Sequence, residues 1–146
     1  MKQDIDTLLQ KLSWDKDTNI QQKAVKELIE IDEKDIFKLI QPKDKNHWDN
    51  AALVLKQIGY PRNKSAIPGL IEWLQDMNWP GAWTALETLQ AIDIPILIPY
   101  IENALKKALQ EDDEMWLMGL KELVINRLRV APTDFTNLEL YKMVNI

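Results

Sequence analysis

Hydrophobic residues recur every three or four positions along almost the whole chain, and no segment shows the strict alternation typical of a surface strand. This periodicity predicts amphipathic helices that occur in pairs. The predicted pairs are 4–12 with 19–31, 34–41 with 48–58, 66–76 with 80–92, and 96–110 with 114–129. A further segment, 134–145, carries Phe135, Leu138, Tyr141 and Val144 and predicts a C-terminal capping helix. The pattern therefore predicts an all-α protein.

The second helices of these pairs share one arrangement of residues. A large residue is followed three positions later by a small one, and then by aliphatic residues at helical spacing. The four copies have Gln21, Trp48, Trp79 and Trp116 at the first position and Ala24, Ala51, Ala82 and Gly119 at the small one. A small residue in the middle of a helix face lets a neighbouring helix approach closely. Because the copies recur about every 30 residues, the sequence predicts stacked helical repeats.

Turn residues divide the chain into repeat units. Residues 59–61 (Gly-Tyr-Pro) and Asp93 end second helices, whereas Pro68 and Pro80 suit the first turns of the helices that follow. Ser65 is a predicted N-cap. The predicted units of this single domain are about 4–32, 34–60, 65–93 and 95–130, with the capping helix at 134–145.

The third unit carries a family resemblance. Residues 66–76, followed by Ala82, Leu86 and Leu89, resemble a HEAT repeat. More narrowly, the motif WLQD-x-NWP at residues 73–80 resembles a small, uncharacterised bacterial HEAT-like family. The resemblance implies a right-handed α-solenoid of about four HEAT-like helical hairpins and, by association, a binding role. Units two and three lack the arginine that HEAT repeats often carry early in the second helix, so no standard ladder of salt bridges between repeats is implied.

Charge narrows the classes of partner. The chain has 18 basic and 23 acidic residues and a formal net charge of −5. Nucleic-acid binding depends on lysines and arginines that neutralise phosphates, so a basic protein or peptide is favoured instead. The absence of cysteine excludes disulfides and thiolate chemistry, and no apolar run is long enough to span a membrane. We therefore expect a cytoplasmic protein without a nucleic-acid or membrane partner.

Residues suited to catalysis are few. His47 is the only histidine, and Ser13 and Ser65 are the only serines, so a Ser-His-Asp triad is not expected. A metal site would depend on carboxylates, but the densest acidic run, residues 111–114, lacks the spacing of a calcium loop. We interpret that run as a helix N-terminus, where carboxylates accept hydrogen bonds from free amides. The sequence predicts no catalytic residue, no metal and no cofactor.

Three of the six tryptophans fall in one short window. Trp79 is in register with Trp48 and Trp116, so we interpret these three as rings that cover the turns between paired helices. Trp73 and Trp83 have no counterparts in other units and lie on the flanks of their apolar faces. Each either packs between repeats or forms an exposed anchor for a partner, since tryptophan is enriched at interface hot spots. The candidate partner-binding residues are Trp83, Trp73, Glu87, Thr84 and Asp76.

These features predict a non-catalytic protein-binding module that uses the groove of a helical repeat, for example an inhibitor or immunity-type partner of a basic protein. One alternative is an enzyme or small-ligand binder with a carboxylate-lined groove near Trp79 and Trp83. The mixed charges of the second helices disfavour one such enzyme, a DNA-repair glycosylase on a HEAT-like fold, because that class resembles a longer solenoid with a basic concave face. A further alternative is self-association into a homo-oligomer through the ends of the stack.

Overall fold

A computed structural model describes residues 4–145. The described residues form helices and turns, with no β-strand among them, which confirms the all-α prediction. The α-helices are α1 (Ile5–Gln10), α2 (Thr18–Leu28), α3 (Trp48–Ile58), α4 (Ile67–Glu72), α5 (Ala82–Gln90), α6 (Ile94–Gln110), α7 (Glu114–Lys121) and α8 (Leu138–Val144). Shorter 3-10 helices cover Glu33–Leu39, Lys45–His47, Lys64–Ala66, Trp73–Gln75 and Pro132–Asp134, and a π-helix continues α7 over Glu122–Arg127.

Two of the first helices are tighter than the sequence predicts. The predicted helix 34–41 is the 3-10 helix Glu33–Leu39, and the predicted helix 66–76 is α4 followed by the 3-10 helix Trp73–Gln75. A 3-10 helix has three residues per turn, so it rotates successive side chains further than an α-helix does.

The helix starts also differ in detail from the predicted ones. Ser65 is not a cap, because it lies in the 3-10 turn that precedes α4, and α4 has no side-chain cap. Pro68 does lie in the first turn of α4, as predicted. Helix α5 begins at Ala82 and not at Pro80, because the intervening Gly81 adopts a left-handed conformation with φ of 84°.

The helices pack around one hydrophobic core. Within pairs, α1 packs against α2, the 3-10 helix Glu33–Leu39 against α3, α4 against α5, and α6 against α7. Between successive pairs α2 contacts α3, α3 contacts α5, and α5 contacts the π-helix after α7. The 3-10 helix Glu33–Leu39 also contacts the 3-10 turn before α4, and α4 contacts α6. Second helices of successive pairs therefore contact one another.

The small residues of the repeated arrangement lie inside this core. Ala24, Ala51, Ala82 and Gly119 are all buried. Their burial agrees with the prediction that a small residue in mid-helix permits close approach of a neighbouring helix.

A buried carboxylate holds the C-terminal segment to α6. One oxygen of Glu102, Oε2, accepts hydrogen bonds from the backbone amides of Thr136 at 3.0 Å and Asn137 at 2.9 Å. Its other oxygen accepts one from the Thr136 hydroxyl at 2.6 Å. Helix α8 contacts α6 and α7 and buries Leu140 and Val144. These contacts are those expected of a C-terminal capping helix.

Candidate functional site

Trp83 lies on the exposed face of α5. The buried face of this helix is formed by Ala82, Ala85, Leu86 and Leu89. Trp83 falls outside that face, and 49% of its surface is exposed. Such exposure is what partner binding requires and what packing between repeats would have removed.

A guanidinium group lies over the ring of Trp83. The Cζ atom of Arg127 is 5.5 Å from the ring centroid, within range of a cation–π interaction. Nε of Arg127 donates to Oε2 of Glu122 at 3.0 Å, and Nδ2 of Asn126 donates to Oε1 at 2.8 Å. The hydrogen bond from Asn126, and after it the one from Arg127, holds the pKa of Glu122 below its usual value. The carboxylate therefore stays charged and fixes Arg127 against the tryptophan.

The π-helix is what brings Glu122 and Arg127 together. Residues five apart on an α-helix lie about 140° apart around its axis, so their side chains diverge. In the π-helix the hydrogen bonds join residues five apart, as from the Leu128 amide to the Leu123 carbonyl at 2.8 Å. The predicted helix 114–129 is a regular α-helix, and α-helical spacing contains no signal for this pair.

Glu87 extends the site one turn further along α5. Its Oε2 lies 3.6 Å from Nζ of Lys56 on α3, and both side chains are about half exposed. An ion pair this exposed contributes about 0–1 kcal/mol, so the carboxylate is accessible to a competing cation. We define the Trp83 surface as Trp83, Glu87, Lys56, Glu122 and Arg127, which come from three neighbouring second helices.

Trp73 is not part of the Trp83 surface, and the expectation that its ring could anchor a partner is wrong. It is fully buried, and its indole N–H donates to the Pro80 carbonyl at 2.8 Å. The side of the helix on which Trp73 lies is covered by neighbouring residues, since the ring packs edge-on against Trp48 at 5.9 Å and stands against Gly81. Packing, the other role that the sequence allows, is the one observed.

The polar candidates Thr84 and Asp76 have local roles. Thr84 is partly buried beside Trp83, and its carbonyl accepts from the Thr88 hydroxyl at 2.8 Å. Asp76 accepts from the Asn78 amide at 2.8 Å in the turn before α5. In the described part of the chain, no hydrogen bond or ion pair connects either residue to the Trp83 surface.

The three tryptophans in register differ in burial and in contacts, since Trp48 and Trp116 are buried and Trp79 is only partly buried. Trp48 donates to the Pro42 carbonyl in the turn before α3, which agrees with the predicted turn-covering role. Trp79 packs edge-on against Trp48, with ring centroids 5.6 Å apart. Trp116 donates to the Ile71 carbonyl on α4 at 3.1 Å, so it joins helices of two different pairs. The repeat thus places the rings, and the neighbouring helices decide what each ring contacts.

An open cavity of about 1150 Å³ lies away from these tryptophans, between α1, α2 and the 3-10 helix Glu33–Leu39. Apolar residues and charged residues of both signs line it. Its Arg62 guanidinium donates to the Ile31 carbonyl at 3.1 Å and is thereby engaged at the end of α2. Neither Trp79 nor Trp83 lines this cavity, so it is not the carboxylate-lined groove expected beside them.

Residues 4–145 contain neither a metal-binding cluster nor a membrane-spanning helix. No group of three or more histidine, cysteine, aspartate or glutamate side chains in this range is arranged to hold a metal ion. No helix in the same range is long and apolar enough to cross a membrane.

The protein is thus all-helical, with paired helices and with the Trp83 surface on neighbouring second helices. The chain belongs to the family described as Domain of unknown function (DUF5071), which matches residues 39–145. The matched range contains the whole Trp83 surface and the C-terminal capping helix, whereas α1 and α2 lie outside it. No curated protein and no solved structure matches the chain significantly.

Proposed function

We propose that the chain is a right-handed α-solenoid of about four HEAT-like hairpins with a C-terminal cap, and that it is a non-catalytic protein-binding module of the cytoplasm. The order of helix contacts supports this arrangement, because α2, α3, α5 and the π-helix contact one another in succession. In stacked-repeat proteins, such a succession of equivalent helices forms an extended binding surface.

The observation that carries the proposed function is the half-exposed ring of Trp83 held against Arg127. Tryptophan and arginine are the side chains most enriched at interface hot spots. The Glu122 carboxylate restrains the guanidinium before any partner arrives. A pre-ordered pair loses less conformational entropy on binding than two free side chains would.

The partner that suits this surface is a basic protein. The chain carries a formal net charge of −5, which favours encounter with a positively charged molecule. At the surface itself, the loose ion pair of Glu87 with Lys56 can be exchanged for one with a partner cation. An inhibitor or immunity-type protein that covers a basic toxin or enzyme fits both features.

A capture experiment with matched tryptophan variants tests the proposal. Wild type, Trp83→Ala and Trp14→Ala are immobilised and exposed to lysate of the native host. Trp14 is the matched control, because it is 48% exposed against 49% for Trp83 and lies in the turn between α1 and α2. We expect wild type and Trp14→Ala to retain a basic protein that Trp83→Ala loses.

The captured protein is then purified and its affinity measured by titration calorimetry. Loss of a hot-spot tryptophan should weaken binding by about 30-fold or more, and the Trp14 variant should bind like wild type. Equal capture by all three proteins, or equal loss in both variants, would remove Trp83 from the proposal. Unchanged melting temperatures of both variants exclude unfolding as the cause.

A further inference from the structure

Trp48 and Trp79 form a right-angled corner on the protein. Their ring centroids are 5.6 Å apart and their planes meet at 87°. Nζ of Lys45 lies 5.6 Å from the Trp48 centroid and 6.0 Å from the Trp79 centroid. We propose that this corner is a binding site for alkylammonium cations, and that Lys45 is its internal occupant.

One wall of the corner, the Trp48 ring, is fixed by the surrounding fold. The indole N–H of Trp48 is bound to the Pro42 carbonyl. Behind it, the buried ring of Trp73 packs edge-on against Trp48 at 5.9 Å. Gly81 sits against both of these tryptophans, since a Cβ added there would come within 2.9 Å of the Trp48 carbonyl and of the Trp73 ring. The Trp48 wall is therefore in place before any ligand binds, which lowers the entropic cost of binding.

The position of Lys45 shows what the corner attracts. Lys45 is exposed, and no carboxylate within the described residues pairs with its ammonium, although the chain has 23 acidic residues. The ammonium lies instead near two indole faces, whose quadrupoles attract cations. The rings themselves are therefore the groups that attract the positive charge.

Lys45 fills the corner incompletely. Its backbone is only three residues from that of Trp48, and its ammonium stays near the outer limit of about 6 Å for a cation–π interaction. A ligand without this tether can approach both rings more closely. A methylated ammonium adds apolar contact with the indoles, which is why aromatic cages bind such groups. The corner shares no residue with the Trp83 surface, so either proposal can be wrong without affecting the other.

The test follows the indole N–H signals in ¹H–¹⁵N NMR spectra of wild type, Lys45→Ala and Lys43→Ala. Lys43 is a nearby exposed lysine without a ring contact and is the matched control. The probes are choline and its uncharged isostere 3,3-dimethylbutan-1-ol. In Lys45→Ala, choline should shift the Trp48 and Trp79 signals saturably, with a dissociation constant on the order of millimolar. Removal of the competing lysine should tighten choline binding about two- to fivefold relative to wild type, and Lys43→Ala should match wild type.

A further arm uses Nα-acetyl-lysine methylamide to identify the source of the cation. A response to choline alone assigns the corner to small quaternary ammonium compounds, whereas a response to both probes also assigns it to lysine side chains of a protein. In the Lys45→Ala background, Trp79→Leu removes one wall and should abolish the response while the Trp116 signal stays in place. The proposal is overturned if neither cation shifts Trp48 and Trp79 in Lys45→Ala, or if the uncharged isostere shifts them equally.

Discussion

The backbone carbonyl of Leu74 lies directly against Gly119. A Cβ atom added at Gly119 would stand 2.1 Å from the Leu74 oxygen, whereas real Cβ atoms essentially never come within 3.0 Å of such a neighbour. On the same helix, the indole of Trp116 donates to the Ile71 carbonyl. The small position of the fourth repeat copy is thus where α7 approaches the backbone of the preceding pair.

Gly119→Ala should therefore destabilise the protein. In an open helix this change is stabilising by about 1 kcal/mol, because alanine has the higher helix propensity. Here the new methyl group meets a backbone that must shift, so we expect the free energy of unfolding to fall by about 1–3 kcal/mol. Urea unfolding followed by circular dichroism measures this change.

Gly69→Ala is the matched control for Gly119→Ala. The nearest atoms to its added Cβ would belong to the side chain of Ile40, at 2.6 Å, and a side chain can move at lower cost than backbone. We expect a smaller loss of stability at Gly69. A Gly119→Ala protein as stable as wild type would show that α7 does not approach Leu74 this closely.

The features that the sequence predicts correctly depend on the spacing of residues. Helical periodicity predicted the helices, and the repeated small residue predicted buried positions such as Gly119. The acidic run 111–114 was interpreted as a helix start, and the Asp113 carboxylate accepts from the Trp116 amide at 3.0 Å. Each of these features follows from the spacing of residues along the chain, either within a few turns or in the register of the repeat.

The missed features depend on departures from α-helical geometry or on distant contacts. Trp73 is buried because Trp48 and Gly81 pack against its ring, and Glu122 meets Arg127 because the chain widens into a π-helix. The Glu102 carboxylate binds Thr136, 34 positions away along the chain. No periodicity in the sequence encodes a local change of helix type or a single long-range hydrogen bond.

Glu102→Ala should loosen the C-terminal cap. The substitution leaves the amides of Thr136 and Asn137 without their acceptor, and we expect a loss of about 2–3 kcal/mol in the free energy of unfolding. Glu102→Gln should cost only about 1 kcal/mol, because its amide oxygen can still accept from both backbone amides. Hydrogen exchange should show faster exchange of α8 amides in Glu102→Ala than in wild type.

Glu111→Ala provides the control for the cap experiment. Glu111 is an exposed glutamate at the end of α6, and its substitution should stay within about 0.5 kcal/mol of wild type. Protection of the α3 and α5 amides should hardly change in Glu102→Ala if the effect is confined to the cap. If the α8 amides exchanged in Glu102→Ala at the same rate as in wild type, the Glu102 carboxylate would not be what holds the C-terminal segment to α6.

The Glu122–Arg127 pair should make the Trp83 surface sensitive to acid. Hydrogen bonds from Asn126 and Arg127 lower the pKa of Glu122 in the folded protein. A lowered folded pKa gives stability that is fully present above the unfolded glutamate value of about 4.3 and is lost as pH falls through the folded value. Because the side chain is 26% exposed, this contribution is at most about 1 kcal/mol.

We therefore expect Glu122→Gln to melt at a lower temperature than wild type at neutral pH. In acid, the melting temperatures of the two proteins should converge. Over the same range, the indole N–H signal of wild-type Trp83 should titrate, because a neutral Glu122 releases Arg127 from the ring. In Glu122→Gln that signal should not titrate, whereas Glu111→Gln, which leaves the pair intact, should reproduce the wild-type curve. A Trp83 signal that titrates identically with and without Glu122 would show that another group controls the position of Arg127.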